Sequence, residues 1–118
     1  DYRQDVAVDG PLNFAPSSAI LIFDGIFLQR PELAPYWDLT VFLDVAFSTS
    51  VPRAEFRDRE LSPGGDDVSG VREIYERRYV PGQELYFAEC RPREAADILI
   101  DNNDYDRPIV LSGSVRRT

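Results

Sequence analysis

Three aspartates stand directly behind short apolar runs: Asp24 after ILIF, Asp44 after TVFL and Asp101 after ILI. Where such runs are strands of an open α/β sheet, their carboxyl ends border the crevice in which ligands bind. A carboxylate there suits a magnesium ion, which takes one or two carboxylates and fills its remaining positions with water and substrate phosphates. An aspartate at a strand end also serves simply to start a turn or cap a helix. Asp24 differs from the other two because Gly25 follows it, and a residue without a Cβ lets a ligand or a backbone approach closely. A second group of chemically capable residues is Arg53, Arg57 and Arg59, just before the glycine-rich stretch LSPGGDDVSG. A guanidinium forks two phosphate oxygens, so these three could form a phosphate-binding lid. They could equally pair with neighbouring acids on a solvated helix face.

The elements that would carry these groups follow from periodicity. Ala19–Phe23, Leu39–Leu43 and Asp97–Ile100 read as strands buried on both faces, and separation by helical patterns points to a parallel sheet. A helix capped by Ser48 or Ser50, with Pro52 in its opening turn, places Arg53 and Arg57 on one face and pairs Glu55 with Arg59 at i,i+4. Residues 61–70 read as a mobile loop. A second helix begins near Val71, with Val71, Ile74, Tyr75 and Tyr79 at helical spacing, is kinked or broken at Pro81-Gly82, and resumes over Gln83–Cys90. Asp5–Val8 reads as a short edge strand, Ile109–Leu111 as a last strand, and residues 112–118 as a flexible tail. Tyr36, Trp37, Tyr86 and Phe87 read as packing aromatics, and Cys90 as a small buried hydrophobe.

Composition narrows the chemistry. With 118 residues the chain suits one domain, and 43% hydrophobic residues argue against disorder. A net charge of −8 weighs against nucleic acid and anionic membranes as partners. The chain has no histidine, which removes His bases and His-ligated metals, and all 13 basic residues are arginine, which removes a Schiff-base lysine and a G-x-x-x-x-G-K-[ST] phosphate loop. The single cysteine, Cys90, forms no internal disulfide and favours a reducing compartment, so a cytoplasmic setting is expected. No run approaches the ~20 apolar residues of a membrane span. With no methionine, Asp1 does not read as a natural start, and the chain is expected to be part of something longer.

Taken in order, ILIFDGIFL, WDLTVFLDV, RAEFRD and RRYVPGQELYFAECRPREAADILIDNND resemble the C-terminal half of uridine kinase-like proteins, in the phosphoribulokinase/uridine kinase group of P-loop kinases. The resemblance runs from about Asp1 to Asp104. It implies transfer of the γ-phosphoryl group of ATP or another NTP to a hydroxyl of a uridine- or cytidine-like nucleoside, with Mg²⁺, mainly by positioning and charge stabilisation. It implies that Asp24 holds the metal and that Arg57 is a lid arginine reaching the phosphates. Arg53 lies near an arginine pair whose second member is Ala54 here. Asp1 and Tyr2 match a segment that lays an aromatic ring over the base, and Arg78 occupies a base-reading position. The family's arginine-rich lid is LSPGGDD in this chain, and the phosphate loop, its lysine and the catalytic carboxylate would lie upstream of Asp1.

The implied fold is α/β, a partial P-loop kinase-type parallel sheet flanked by helices that lacks the N-terminal P-loop strand. In the family that strand lies between those matching 19–23 and 39–43, so the chain by itself is expected to be inactive and to associate with a copy or repack. The alternative reading is a non-catalytic nucleotide-binding or protein-interaction module. A third is an acidic domain whose arginines make only surface ion pairs.

Overall fold

The structure, a computed structural model, describes residues 6–7, 10–11, 13–61 and 71–113. Within them lies a small α/β arrangement with a three-stranded mixed sheet. Strand β1 (Val41–Asp44) pairs in parallel with β2 (Ile98–Asp101), and β2 pairs antiparallel with β3 (Ile109–Gly113) through a bulge at Leu99/Ile100. The sequence order β1-β2-β3 is also the spatial order, so β1 is an edge strand. The two parallel strands are those expected from LTVFL and DILI, shifted one or two residues towards their aspartates. The sheet is mixed rather than parallel because a short turn after Asp101 sends the chain back beside β2, a connection that only antiparallel strands permit. Of the tail expected at residues 112–118, Ser112 and Gly113 belong to β3, and residues 114–118 lie outside the described residues.

Helix α1 (Phe47–Leu61) begins one turn earlier than the serines suggested: the amides of Thr49 and Ser50 both donate to the Ala46 carbonyl at 2.9 Å. Pro52 therefore stands in the second turn. After residues 62–70, which lie outside the described residues together with the expected lid loop, one rod runs from Val71 to Cys90. It comprises α2 (Val71–Ile74), a π-helical turn (Tyr75–Tyr79) and α3 (Val80–Cys90). Of the kink or break expected at Pro81-Gly82, the break does not occur. In a regular helix the Pro81 ring would meet the carbonyl one turn back; here the preceding turn is widened, and the Val80 amide reaches the Tyr75 carbonyl. Arg91, at φ 46°, ends α3 in the left-handed conformation and donates its amide to the Phe87 carbonyl at 3.1 Å. Pro92, fully buried, then opens α4 (Pro92–Ala95).

The core is small. Val51 and Ala54 of α1 and Tyr86 of α3 are its buried apolar residues among those described. Phe87 joins the helices to the sheet, with Phe42 edge-on at 5.8 Å and Phe47 stacked at 6.0 Å. Because Phe42 points to α3, its neighbours Val41 and Leu43 point the other way, where they are 48% and 54% exposed. The strands are thus covered on one face and not on two.

The largest departure from expectation is Ala19–Phe23. The segment forms no strand, and Ile20, Leu21 and Ile22 are 89%, 81% and 89% exposed. A run apolar in every position needs a sheet interior, with neighbours on both edges and cover on both faces. Among the described residues nothing supplies those neighbours. Of the expected edge strand at Asp5–Val8 only Val6 and Ala7 are described, and they form no strand.

Candidate active site

A cavity of about 700 Å³ opens between the segment Phe23–Gln29 on one side and β1, α1 and α3 on the other. Its charged lining residues are Asp24 and Arg57, and Ser50, Tyr75 and Gln83 add polar groups to a mostly apolar wall. Asp24 lines it next to Phe23, whose ring stacks on Trp37 at 5.8 Å, and the chain then turns over residues 26–30. The Trp37 indole N–H donates to the Leu28 carbonyl at 2.7 Å, and the Gln29 amide donates to Tyr86 Oη at 3.0 Å. Those bonds pin the turn at its far end. Burial pushes the Tyr86 phenol pKa up, against the pull of the Gln29 hydrogen bond. Phe27, just before the two pinned residues, has φ 61°, a conformation costly for a bulky residue, and is held there with its ring edge-on to Tyr86 at 5.3 Å. A Cβ at Gly25 would meet the Leu28 side chain at 3.4 Å, so the room left by that glycine is taken up by its own turn.

Arg57 projects from α1 towards the rod. Its Nε donates to Asp58 Oδ1 and its Nη2 to Tyr75 Oη, each at 3.0 Å. The Asp58 carboxylate raises the guanidinium pKa above its ordinary value, with Tyr75 adding to the effect, so the charge is permanent. One turn away Arg72 forks Glu55 at 2.8 and 2.9 Å. The Arg59 side chain lies outside the described residues, as do Asp1 and Tyr2. Arg78 is exposed and lies over the Tyr79 ring at 5.9 Å, away from the cavity lining.

The three strand-end aspartates do not converge. Asp44 and Asp101 sit side by side in register, but neither lines the cavity that holds Asp24. Asp44 pairs with Arg93. Asp101 Oδ1 accepts from the Asn103 amide at 2.9 Å and from Asn103 Nδ2 at 2.7 Å, and these bonds lower its pKa. Arg53 serves the same corner, donating to the carbonyls of Asn102 and Asn103 at 2.9 and 2.8 Å with its guanidinium 5.5 Å from the Tyr105 ring centre. Its fork is thereby used in closing the loop after β2. Among the described residues no cluster of three acidic or thiol ligands forms a metal cage. Asp24 fits a metal only as one carboxylate, which is what a phosphate-chelated magnesium requires.

Tyr75, Gln83, Tyr86 and Phe27 were not legible as site residues. Tyr75 carried only a helix-face signal, Tyr86 read as a packing aromatic, and the positive φ of Phe27 has no sequence marker. No protein-family model, curated protein or solved structure matches the chain.

Proposed function

We propose that the chain is the C-terminal part of an NTP-dependent kinase, working in the cytoplasm, that phosphorylates a hydroxyl of a uridine- or cytidine-like nucleoside. The observation that carries the reading is that Asp24 and Arg57, far apart in sequence, line one cavity while Asp44, Asp101 and Arg53 are engaged elsewhere. The apolar wall suits a small organic substrate, with few polar groups to orient it. Asp24 would hold Mg²⁺ through one carboxylate, and the ion would supply charge neutralisation across the phosphates. Arg57, fixed by Asp58 and Tyr75, would face the negative charge of the phosphoryl group as it transfers. The chain has no lysine, so the amides and ammonium group that cradle a triphosphate would come from an N-terminal half.

The test is a phosphoryl-transfer assay on the product of the whole reading frame, with uridine and cytidine as acceptors. Turnover is expected, Asp24→Asn is expected to abolish it, and Arg57→Ala to lower kcat by about 10³-fold or more, the scale of an arginine acting on a transferring phosphoryl group. Full activity in Asp24→Asn would remove the metal role. The interaction-module reading draws on a different observation, the bare run Ile20–Phe23.

A further inference from the structure

We infer that the run Ile20–Phe23 and the free edge of β1 are the two halves of a reciprocal contact, through which two copies of this chain exchange strands. Each copy would lay its Ile20–Phe23 arm along β1 of the other. Val41–Leu43 also line the cavity that Asp24 and Arg57 share, so the arm would border it; the inference is argued from the bare run and the strand edge, not from the chemistry of those two residues.

Four observations support a second copy as the occupant. The arm is bare on both faces: Ile20, Leu21, Ile22 and Phe23 are 89%, 81%, 89% and 59% exposed, and only Phe23 reaches the cavity wall. The strand edge is equally unprotected. Among the described residues β1 pairs only with β2, and Val41–Leu43 carries none of the charges, prolines or bulges that normally blunt an edge. Val41 and Leu43, 48% and 54% exposed, offer an apolar face beside that edge. The two parts also match in kind and length, four uncharged residues in the arm against the four of β1, Asp44 standing only at its end.

The arm is moreover rooted. Phe23 is stacked on Trp37, so the arm leaves the body of its own chain at a fixed point instead of trailing from it. A rooted arm and an open edge on the same molecule permit two-fold closure, in which each copy both gives and receives. At these exposures the four side chains present roughly 500 Å² of apolar surface per copy, and two insertions that cover arm and edge together reach the ~1,200–2,000 Å² of a specific interface. The net charge of −8 opposes association. Neither contact surface carries that charge internally, and at physiological salt repulsion beyond ~8 Å is screened.

Light scattering on the size-fractionated 118-residue chain at micromolar concentration tests the inference, with a dimer expected. Ile22→Asp places a charge on an 89% exposed side chain, so the fold should survive and the dimer should be lost. Leu43→Asp should remove the dimer from the receiving side. An equimolar mixture of the two variants leaves one insertion intact, the arm of the second on the edge of the first, and should give a heterodimer weaker than the wild-type dimer. In the wild-type dimer the amides of residues 20–23 should exchange slowly, and in Ile22→Asp at the rate of open chain. A wild-type monomer, a dimer that persists in Ile22→Asp, open-ended oligomers, or a mixture that stays monomeric would each overturn the inference.

Discussion

Two ends of this molecule share one sequence pattern, an apolar run closed by aspartate, and have opposite structures. At the β1–β2 end the aspartates are built into a corner. Asp44 pairs with Arg93, the Asn102 amide donates to the Asp44 carbonyl at 3.0 Å, and Asn103 bridges Asp101 to the Ala46 amide. At the Ile20–Asp24 end the run has no strand beside it among the described residues, and its aspartate faces a cavity. The difference lies in neighbours, not in local propensity. β1 and β2 satisfy each other's backbone groups, whereas ILIF, as apolar as either, stays bare because a strand needs a ladder partner. The pattern of an apolar run before an aspartate therefore does not tell a structural aspartate from one free to meet a ligand. Its partners decide.

The sharpest way to break this contrast is to detach the turn that separates the two regions. Tyr86 is the peg: it is buried, touches Phe27 edge-on, and accepts the Gln29 amide. Tyr86→Ala should cost about 3–5 kcal/mol, as for other buried large aromatics cut to alanine, a large share of the ~5–15 kcal/mol that holds a typical domain. Tyr86→Phe keeps the ring and leaves one amide unpaired, and should cost only about 1–3 kcal/mol. Urea unfolding followed by Trp37 fluorescence measures both. If Tyr86→Ala loses less than about 1 kcal/mol, the turn bearing Asp24 is not anchored in the way the geometry requires.

What could be read from sequence follows the same line. The apolar runs at 41–43 and 98–100, their parallel pairing and the helices between them were legible, because β-branched and aromatic runs of that length have few alternatives. The failures have specific causes. ILIF shares the ILI of β2, and no local signal reports that it has no strand neighbours among the described residues. Pro81 reads as a helix breaker, and the widened turn that admits it depends on packing around Tyr75 and Tyr79, whose rings lie 4.9 Å apart. Of the candidate site, Asp24 and Arg57 were singled out from residue type and position, but their common cavity was not. Arg53 was equally plausible as a phosphate ligand until Asn102, Asn103 and Tyr105 were brought to it by the return of the chain after β2.

A smaller test addresses the opposite end of β1 and β2. There the Thr40 amide and Oγ1 both donate to Asp97 Oδ2 at 2.9 Å, while the Asp97 amide donates to Thr40 Oγ1 at 3.1 Å. This clamp sets the register before the first ladder pair, Val41 with Ile98. Thr40→Val keeps the shape and removes the hydroxyl, and should cost about 1–3 kcal/mol in urea unfolding through the amide and carboxylate it leaves underbonded. An unchanged midpoint would mean that the paired end owes its order to apolar packing alone, and the contrast with the arm would rest on packing too.

The smallest effect expected is a pH dependence at Asp101. Its pKa lies below the ordinary aspartate value of 3.8, first because the Asn103 amide donates to the carboxylate, then because the Asn103 side chain does, with Arg93 adding a weaker attraction. A carboxyl group whose folded value lies below its unfolded one binds protons more readily in the unfolded chain. Its contribution to stability is complete above the ordinary range and is lost as pH falls through the lowered value. Asp101 is open to solvent, so the effect is modest and weakened by salt. A carbon-detected titration of the Asp101 carboxyl should place its midpoint below 3.8, and Asp101→Asn should flatten the acid limb of the stability curve while lowering the plateau slightly. A midpoint at or above the ordinary value would mean that the Asn103 bonds do not persist in solution. The corner after β2 would then be as open as the end that carries Asp24, and the distinction between a structural and an available aspartate would fail where it is best defined.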